Sequence, residues 1–397
     1  MPLIQRPVAV VGAGMTGAVI SRMLAEQGLE VDVYERREHV GGNCHDYYEL
    51  NSYTHCYGPH LFHTSDLRVV NFLRQFTEFR PYFHKVTAFI DGAPLPIPFS
   101  LQTLQLTHPR YLAARLSEKL VDAFGFGNAT SIYALLNSPD SDLKQLGDYI
   151  YRSIFLGYSQ KQWGIDDPLL LDKGVLNRIP VRINHDTNYF VDRFQMLPAR
   201  GYTELFEKML SHPNINLHLN QSAELLAQAI DPSREDINIG SSRYSHVFYC
   251  GMIDQFCNFE FGRLSYRSLQ FESKTVSSSH RDRPTFITNY PMHFEFTRIA
   301  DYSHLSPVLG LSLHDQSRII VEYPGEYDPG SQSFSEAYYP LFTNDARALY
   351  RRYEDHVEPY RALVTICGRL GHYKYYDMDD ACVAAMSIAT RFLSSIA

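Results

Sequence analysis

Residues 7–11 (PVAVV) form an unbroken apolar run, the pattern of a short strand buried on both faces. Gly12, Gly14 and Gly17 follow. Apolar residues then recur at helical spacing over 18–27, and Gly28 stands where a helix C-terminal glycine belongs. Residues 30–35 (EVDVYE) alternate polar and apolar and end at Glu35, so the chain predicts an opening βαβ unit. Helical spacing returns over 64–79. Residues 86–98 (VTAFIDGAPLPIP) read as a hairpin whose second arm is interrupted by three prolines.

From 100 to 156 the periodicity is helical with no strand signal, which predicts a separate helical subdomain. A β-like stretch spans 180–198, a short helix 202–210, and strands are expected at 215–219 and 245–251. Four β-like runs at 268–273, 285–290, 294–299 and 317–323 predict an antiparallel sheet. The Gly/Pro/Ser-rich segment 324–335 predicts a loop, and 378–393 an amphipathic closing helix. There is no internal repeat. An α/β chain of 397 residues with two or three domains is expected.

Composition narrows the function classes. A formal net charge of -8 argues against a general nucleic-acid or acidic-membrane binder. No apolar stretch is long enough to span a bilayer, and no signal peptide precedes the first strand, so no membrane insertion is expected. The six cysteines are scattered without a CxxC pair, the usage of a cytoplasmic protein with reduced thiols. Tyrosine is abundant, 28 against a single tryptophan; a ring face with a hydroxyl suits sugar and phosphate recognition, although packing alone accounts for many of them.

GAGMTG at 12–17 matches GxGxxG in the context that gives it meaning, after an apolar strand and opening a helix. Gly12 permits the tight turn, Gly14 lets the backbone approach a pyrophosphate, and Gly17 lets helix and strand pack. Glu35 is placed to accept hydrogen bonds from an adenosine ribose. The following ERREHVGGN brings Arg36 and a second glycine pair, Gly41 and Gly42, with Asn43. In YGPHLFHT (57–64), His60 and His63 stand three apart. No further ligands accompany them, so hydrogen bonding to a cofactor is preferred over a metal site.

Seven segments in order, YGPHLFHT, FLGYSQKQWG (155–164), NRIPVRINHDTNYF (177–190), GRLSYRSLQFE (262–272), FTRI (296–299), EYP (322–324) and GRLGHYKYYDMD (368–379), resemble bacterial UDP-galactopyranose mutases. The resemblance implies a split Rossmann-like FAD domain with an inserted helical bundle and an antiparallel β-sheet domain. The cofactor domain would comprise residues 1–80, 199–262 and 341–397. The sheet domain would comprise 81–99, 177–198 and 263–340, and the bundle, with a mobile substrate loop, 100–176. It implies interconversion of UDP-galactopyranose and UDP-galactofuranose, with N5 of reduced FAD attacking the anomeric carbon and UDP leaving. It also implies a homodimer.

Residue by residue, the resemblance assigns Arg178 and Arg298 to the diphosphate, with His63 and Asp377 also in the catalytic set. Phe155, Tyr158, Trp163, Tyr189, Asn289, Tyr323 and Tyr375 would contact substrate. Thr16, Leu61, Arg369 and Met378 join Gly12, Gly14, Gly17, Glu35, Arg36, Gly42, Asn43, His60 and Asp377 around FAD. Trp163 is expected on a loop, given its polar surroundings. The chain departs from the family at Val321, Pro324 and Gly325, where cations and serine are usual. Those departures keep open the same ring contraction on a different nucleotide sugar, and the shared nucleotide fold keeps open an FAD oxidoreductase of amine-oxidase-like fold.

Overall fold

The computed structural model describes residues 7–166, 180–221, 237–239, 242–277 and 283–396. The opening motif folds as its pattern predicts. Val8–Val11 is a fully buried strand, Met15–Glu26 a helix and Val31–Tyr34 the next strand. The helix begins three residues earlier than its apolar periodicity suggests, because Gly14 serves as its N-cap. These strands lie at the centre of a five-stranded parallel sheet. Ile215–His218 flanks Val31–Tyr34, while His246–Tyr249 and Val364–Ile366 extend the other side. Distant parts of the chain are thus gathered into one sheet.

A second sheet of seven strands forms the floor of the remaining half. Its two long strands, Tyr266–Ser277 and Gln316–Glu326, pair antiparallel from Arg267 to Ser277. Arg298–Asp301 and Ile287–Asn289 follow, then Val86–Ile90 and Ala93–Ile97. The sheet is mixed rather than purely antiparallel, since Ile287–Asn289 runs parallel to Val86–Ile90. Ala93–Ile97 holds a strand despite Pro94 and Pro96 because it is the edge strand. Only one side needs donors, and residues two apart both turn toward the open side.

Three expectations change. The helix over 64–79 is shorter, Leu67–Leu73, and His63 lies on the strand Phe62–Thr64. Residues 324–326 continue a strand, with Pro324 and Gly325 paired to Leu269 and Ser268. Cross-strand pairing to Tyr266–Ser277 therefore overrides the turn composition there. Within the helical subdomain, Ala129–Thr130 pairs with Val181–Arg182. The subdomain otherwise comprises helices from Leu101 onward, ending in Ser141–Ile150, a π-helical turn Tyr151–Leu156, and Gly157–Trp163. No helix among the described residues is long and apolar enough to cross a membrane.

Candidate functional site

A groove of about 270 Å³ runs along the carboxyl ends of the parallel strands, where open α/β sheets bind ligands. Gly12 turns the chain with φ +105°, a conformation costly for any other residue. A Cβ at Gly17 would come within 1.9 Å of the Gly12 carbonyl oxygen, and one at Gly42 within 2.9 Å of the Gly14 Cα. Glycine therefore brings three backbone segments together where a pyrophosphate would lie. Glu35 is buried beside them and accepts from the backbone N–H of Ala13 at 2.9 Å and of Arg37 at 3.0 Å. The residues fit a dinucleotide on grounds of both space and charge. The N-terminus of the 19-residue helix Met378–Ile396 closes the far end, beside Arg369.

The groove opens into a second cavity of about 200 Å³, and His60, Tyr338, Arg369, Asp377 and Met378 line both. One row across the seven-stranded sheet builds its floor: Asn289 lies opposite Arg298, and Arg298 opposite Glu322. Opposed residues share a face, so three polar side chains project together. Nε and Nη2 of Arg298 each lie 2.8 Å from the same Glu322 oxygen. Burial works against the Arg298 charge, but the Glu322 carboxylate outweighs it, and the guanidinium is held well above its ordinary pKa. Tyr158, Tyr189, Tyr339 and Tyr375 complete the walls. Burial raises the pKa of the Tyr158 and Tyr339 phenols, keeping both as hydroxyl donors. Burial also pushes His60 down to about 4 and His84 down to about 3, so both imidazoles are neutral near pH 7.

The helical subdomain reaches this cavity through the π-helical turn, which precedes Tyr158. The segment is clamped: Lys161 Nζ donates to the carbonyls of Phe294 and Phe296 at 3.0 Å, and Arg267 caps the helix through the carbonyls of Gln162 and Lys161. A larger cavity of about 1320 Å³ lies elsewhere, between Val364–Ile366 and the end of the closing helix. Of the motif segments only His372 lines it, and none of the expected site residues does.

Most of the expected residues converge. Gly12, Gly14, Thr16, Gly17, Glu35, Arg36, Gly42, Asn43, His60, Arg369, Asp377 and Met378 line the groove. Leu61, His63, Tyr158, Tyr189, Asn289, Arg298 and Tyr375 line the second cavity, so Leu61 lies in that cavity rather than in the groove. Three expected contacts do not reach it. Tyr323 follows Glu322, and strand alternation puts it on the opposite face, where its hydroxyl donates to Glu272 at 3.2 Å. Phe155 is buried in the main hydrophobic core. Trp163 is the last residue of a helix rather than part of a loop, buried behind Tyr339 and Tyr375 with ring centroids 6.5 Å from each. Arg178 lies outside the described residues.

Sequence reasoning missed Glu322, Tyr338, Tyr339 and Phe190. The alternation in IIVEYP could have found Glu322, because a single acid on an apolar strand is costly to bury unless paired.

Residues 153–375, more than half of the chain, match the family profile described as UDP-galactopyranose mutase. The chain belongs to the UDP-galactopyranose mutase family. It is accordingly an isomerase of the mutase type, and its groove has the form of a nucleotide-cofactor site on a Rossmann-like fold. Residues 10–76 also match a NAD(P)-binding Rossmann-like domain. A UDP-galactopyranose mutase of Mycoplasma pneumoniae is 33% identical over 97% of this chain and 95% of its own length. A dTDP-fucopyranose mutase of Escherichia coli is 32% identical over 98% of both chains. The solved structure of a reduced UDP-galactopyranose mutase superposes with a TM-score of 0.72 at 15% identity, covering 98% of this chain and 96% of that one. A putrescine oxidase superposes with a TM-score of 0.56 at 11% identity, covering 98% and 99%. At that identity the likeness concerns fold alone, and it explains why the amine-oxidase alternative arises.

Proposed function

We propose that this protein interconverts the pyranose and furanose forms of UDP-galactose with FAD bound in the groove. The observation that carries the reading is Arg298, charged, half-buried and held by Glu322 among four tyrosines, at the end of a dinucleotide groove. FAD, when bound and reduced, supplies a nucleophilic nitrogen for the anomeric carbon. Everything else falls to the chain. Arg298 has Nη1 free of Glu322 and can donate to a diphosphate oxygen, where charge grows as the sugar bond breaks. The tyrosine hydroxyls donate to the same oxygens. Arg369 and the N-terminal amides of Met378–Ile396 favour an anionic ring beside them. Residue Arg178 belongs to this proposal as a second diphosphate partner.

The sugar is the part with a competing reading. The chain is almost equally similar to a UDP-galactopyranose mutase and a dTDP-fucopyranose mutase, so a dTDP-sugar is the second candidate. The test uses dithionite-reduced protein with UDP-galactofuranose and dTDP-fucofuranose, product NMR, and kcat/KM for each. Preference for the UDP-sugar is expected. Preference for the dTDP-sugar transfers the assignment, and no ring isomerisation by flavin-loaded, reduced protein overturns the mutase proposal. A homodimer is part of the same proposal, and a single-chain mass by light scattering would overturn that part.

A further inference from the structure

The wall of the second cavity contains a contact that the proposal above leaves unused. His63 lies on the strand Phe62–Thr64, opposite Gln195 of Phe194–Pro198. Its Nδ1 is 2.9 Å from Oδ2 of Asp192. Its ring lies face to face on Phe190, with centroids 3.6 Å apart and planes 19° apart. Asp192 is held in turn. Ser65 Oγ donates to its other carboxylate oxygen at 3.3 Å, and the Gln195 amide donates to its backbone carbonyl at 3.2 Å. An ionised carboxylate only accepts, so Nδ1 is the protonated nitrogen and Nε2 carries the lone pair. Among the described residues Nε2 has no hydrogen-bond partner, and His63 lines the cavity with Asn289, Arg298 and Asp377.

We propose that Asp192 is a positioning residue that sets His63 to carry the sugar's proton between two hydroxyls. This rests on the mutase reading. Contracting the ring breaks the C1–O5 bond, and O5 must gain a proton. It then forms the C1–O4 bond, and O4 must lose one. Nε2, once it has taken up a proton from water, gives that proton to O5 as C1–O5 breaks and takes one back from O4 as C1–O4 forms. The imidazole ends as it began, with no oxidant or reductant required. While His63 holds both protons, Asp192 balances the charge at Nδ1. Asp379 also interacts electrostatically with His63, as does His84. Four other groups on the cavity wall are less suited: His60 and His84 are too weakly basic near pH 7, and the Tyr158 and Tyr339 phenols are too weakly acidic.

The test compares wild type, Asp192→Asn, Asp192→Ala, His63→Gln and the Asp192→Ala/His63→Gln double variant, each as reduced, flavin-loaded full chain. Side-chain ¹⁵N NMR of histidine, with His63 assigned by difference from His63→Gln, reads the tautomer independently of turnover. Wild type should show His63 protonated at Nδ1, and Asp192→Ala should lose that signature. Asp192→Ala should lower kcat by about 10- to 100-fold, at or below the usual range for a proton-transfer group, with KM and flavin content near wild type. Asp192→Asn, which keeps an acceptor but no charge, should fall between the two. In the double variant the Asp192 change should add nothing to His63→Gln, because the carboxylate acts only through the imidazole.

Wild-type kcat in both Asp192 variants, a further loss in the double variant equal to that in the single one, or an Nε2–H tautomer in wild type would each overturn the proposal. A wild type inactive on every nucleotide sugar would remove the mutase reading and the shuttle with it. An active wild type with indifferent Asp192 variants would remove only the shuttle.

Discussion

Arg298 and Glu322 concentrate the electrostatics of the cavity. Glu322 is 1% exposed, so it depends on Arg298 as much as it positions it. Arg298→Ala therefore has two costs: the diphosphate loses a cation, and a buried carboxylate loses its partner. Truncating one member of such a pair costs on the order of 2–5 kcal/mol. We expect kcat to fall by about two orders of magnitude or more and thermal stability to drop, with flavin still bound. Glu322→Gln keeps the shape without burying an unpaired charge, so it should spare stability and still slow turnover by freeing the guanidinium. Steady-state rates, flavin absorbance and melting curves separate these outcomes. Near-normal turnover by Arg298→Ala would place the diphosphate elsewhere.

At the scale of elements, the first strand, the glycine turn and the first helix make two glycines separable by experiment. A Cβ at Gly14 would meet nothing closer than the Gly42 Cα at 3.7 Å, so Gly14→Val is tolerated by the fold and intrudes on the groove instead. Flavin should be lost while far-UV circular dichroism and the melting transition persist. A Cβ at Gly17 has no such room, being 1.9 Å from the Gly12 carbonyl oxygen. Gly17→Ala should force helix and strand apart and lower the melting temperature itself. Stoichiometric flavin in Gly14→Val would contradict the pyrophosphate placement. The spacing of GAGMTG made both residues visible in the sequence, because the motif is local and its strand and helix are its neighbours. Tyr323 could not be placed so simply: its motif was visible, but its face was settled by the register against Tyr266–Ser277 and Arg298–Asp301.

Across the whole molecule, buried histidines from different elements share one titration behaviour. Burial lowers His55 well below its ordinary pKa of 6.5, His60 and His246 to about 4, and His84 to about 3. The unfolded chain therefore takes up protons below about pH 6.5 that the folded chain refuses. Stability is full above that pH and is lost as pH falls toward 4. Urea unfolding at pH 7.5, 6 and 5 should show a falling midpoint, and His84→Gln should make the fall shallower. A midpoint constant from pH 7.5 to 5 would contradict the burial of these imidazoles.

The sequence by itself determined what depends on neighbours in the chain: the βαβ opening, the glycine cradle with Glu35, the helical character of 100–156, and the motifs that mark the family. Tertiary structure decided what depends on strand pairing and packing. It set Arg298 opposite Glu322, turned Tyr323 away from the cavity, buried Phe155 in the main core and Trp163 behind Tyr339 and Tyr375, and brought Asp192 to His63. The physical reason is that side-chain direction in a sheet changes with every residue. A face is therefore assigned only when the partner strand, often far along the chain, fixes the register.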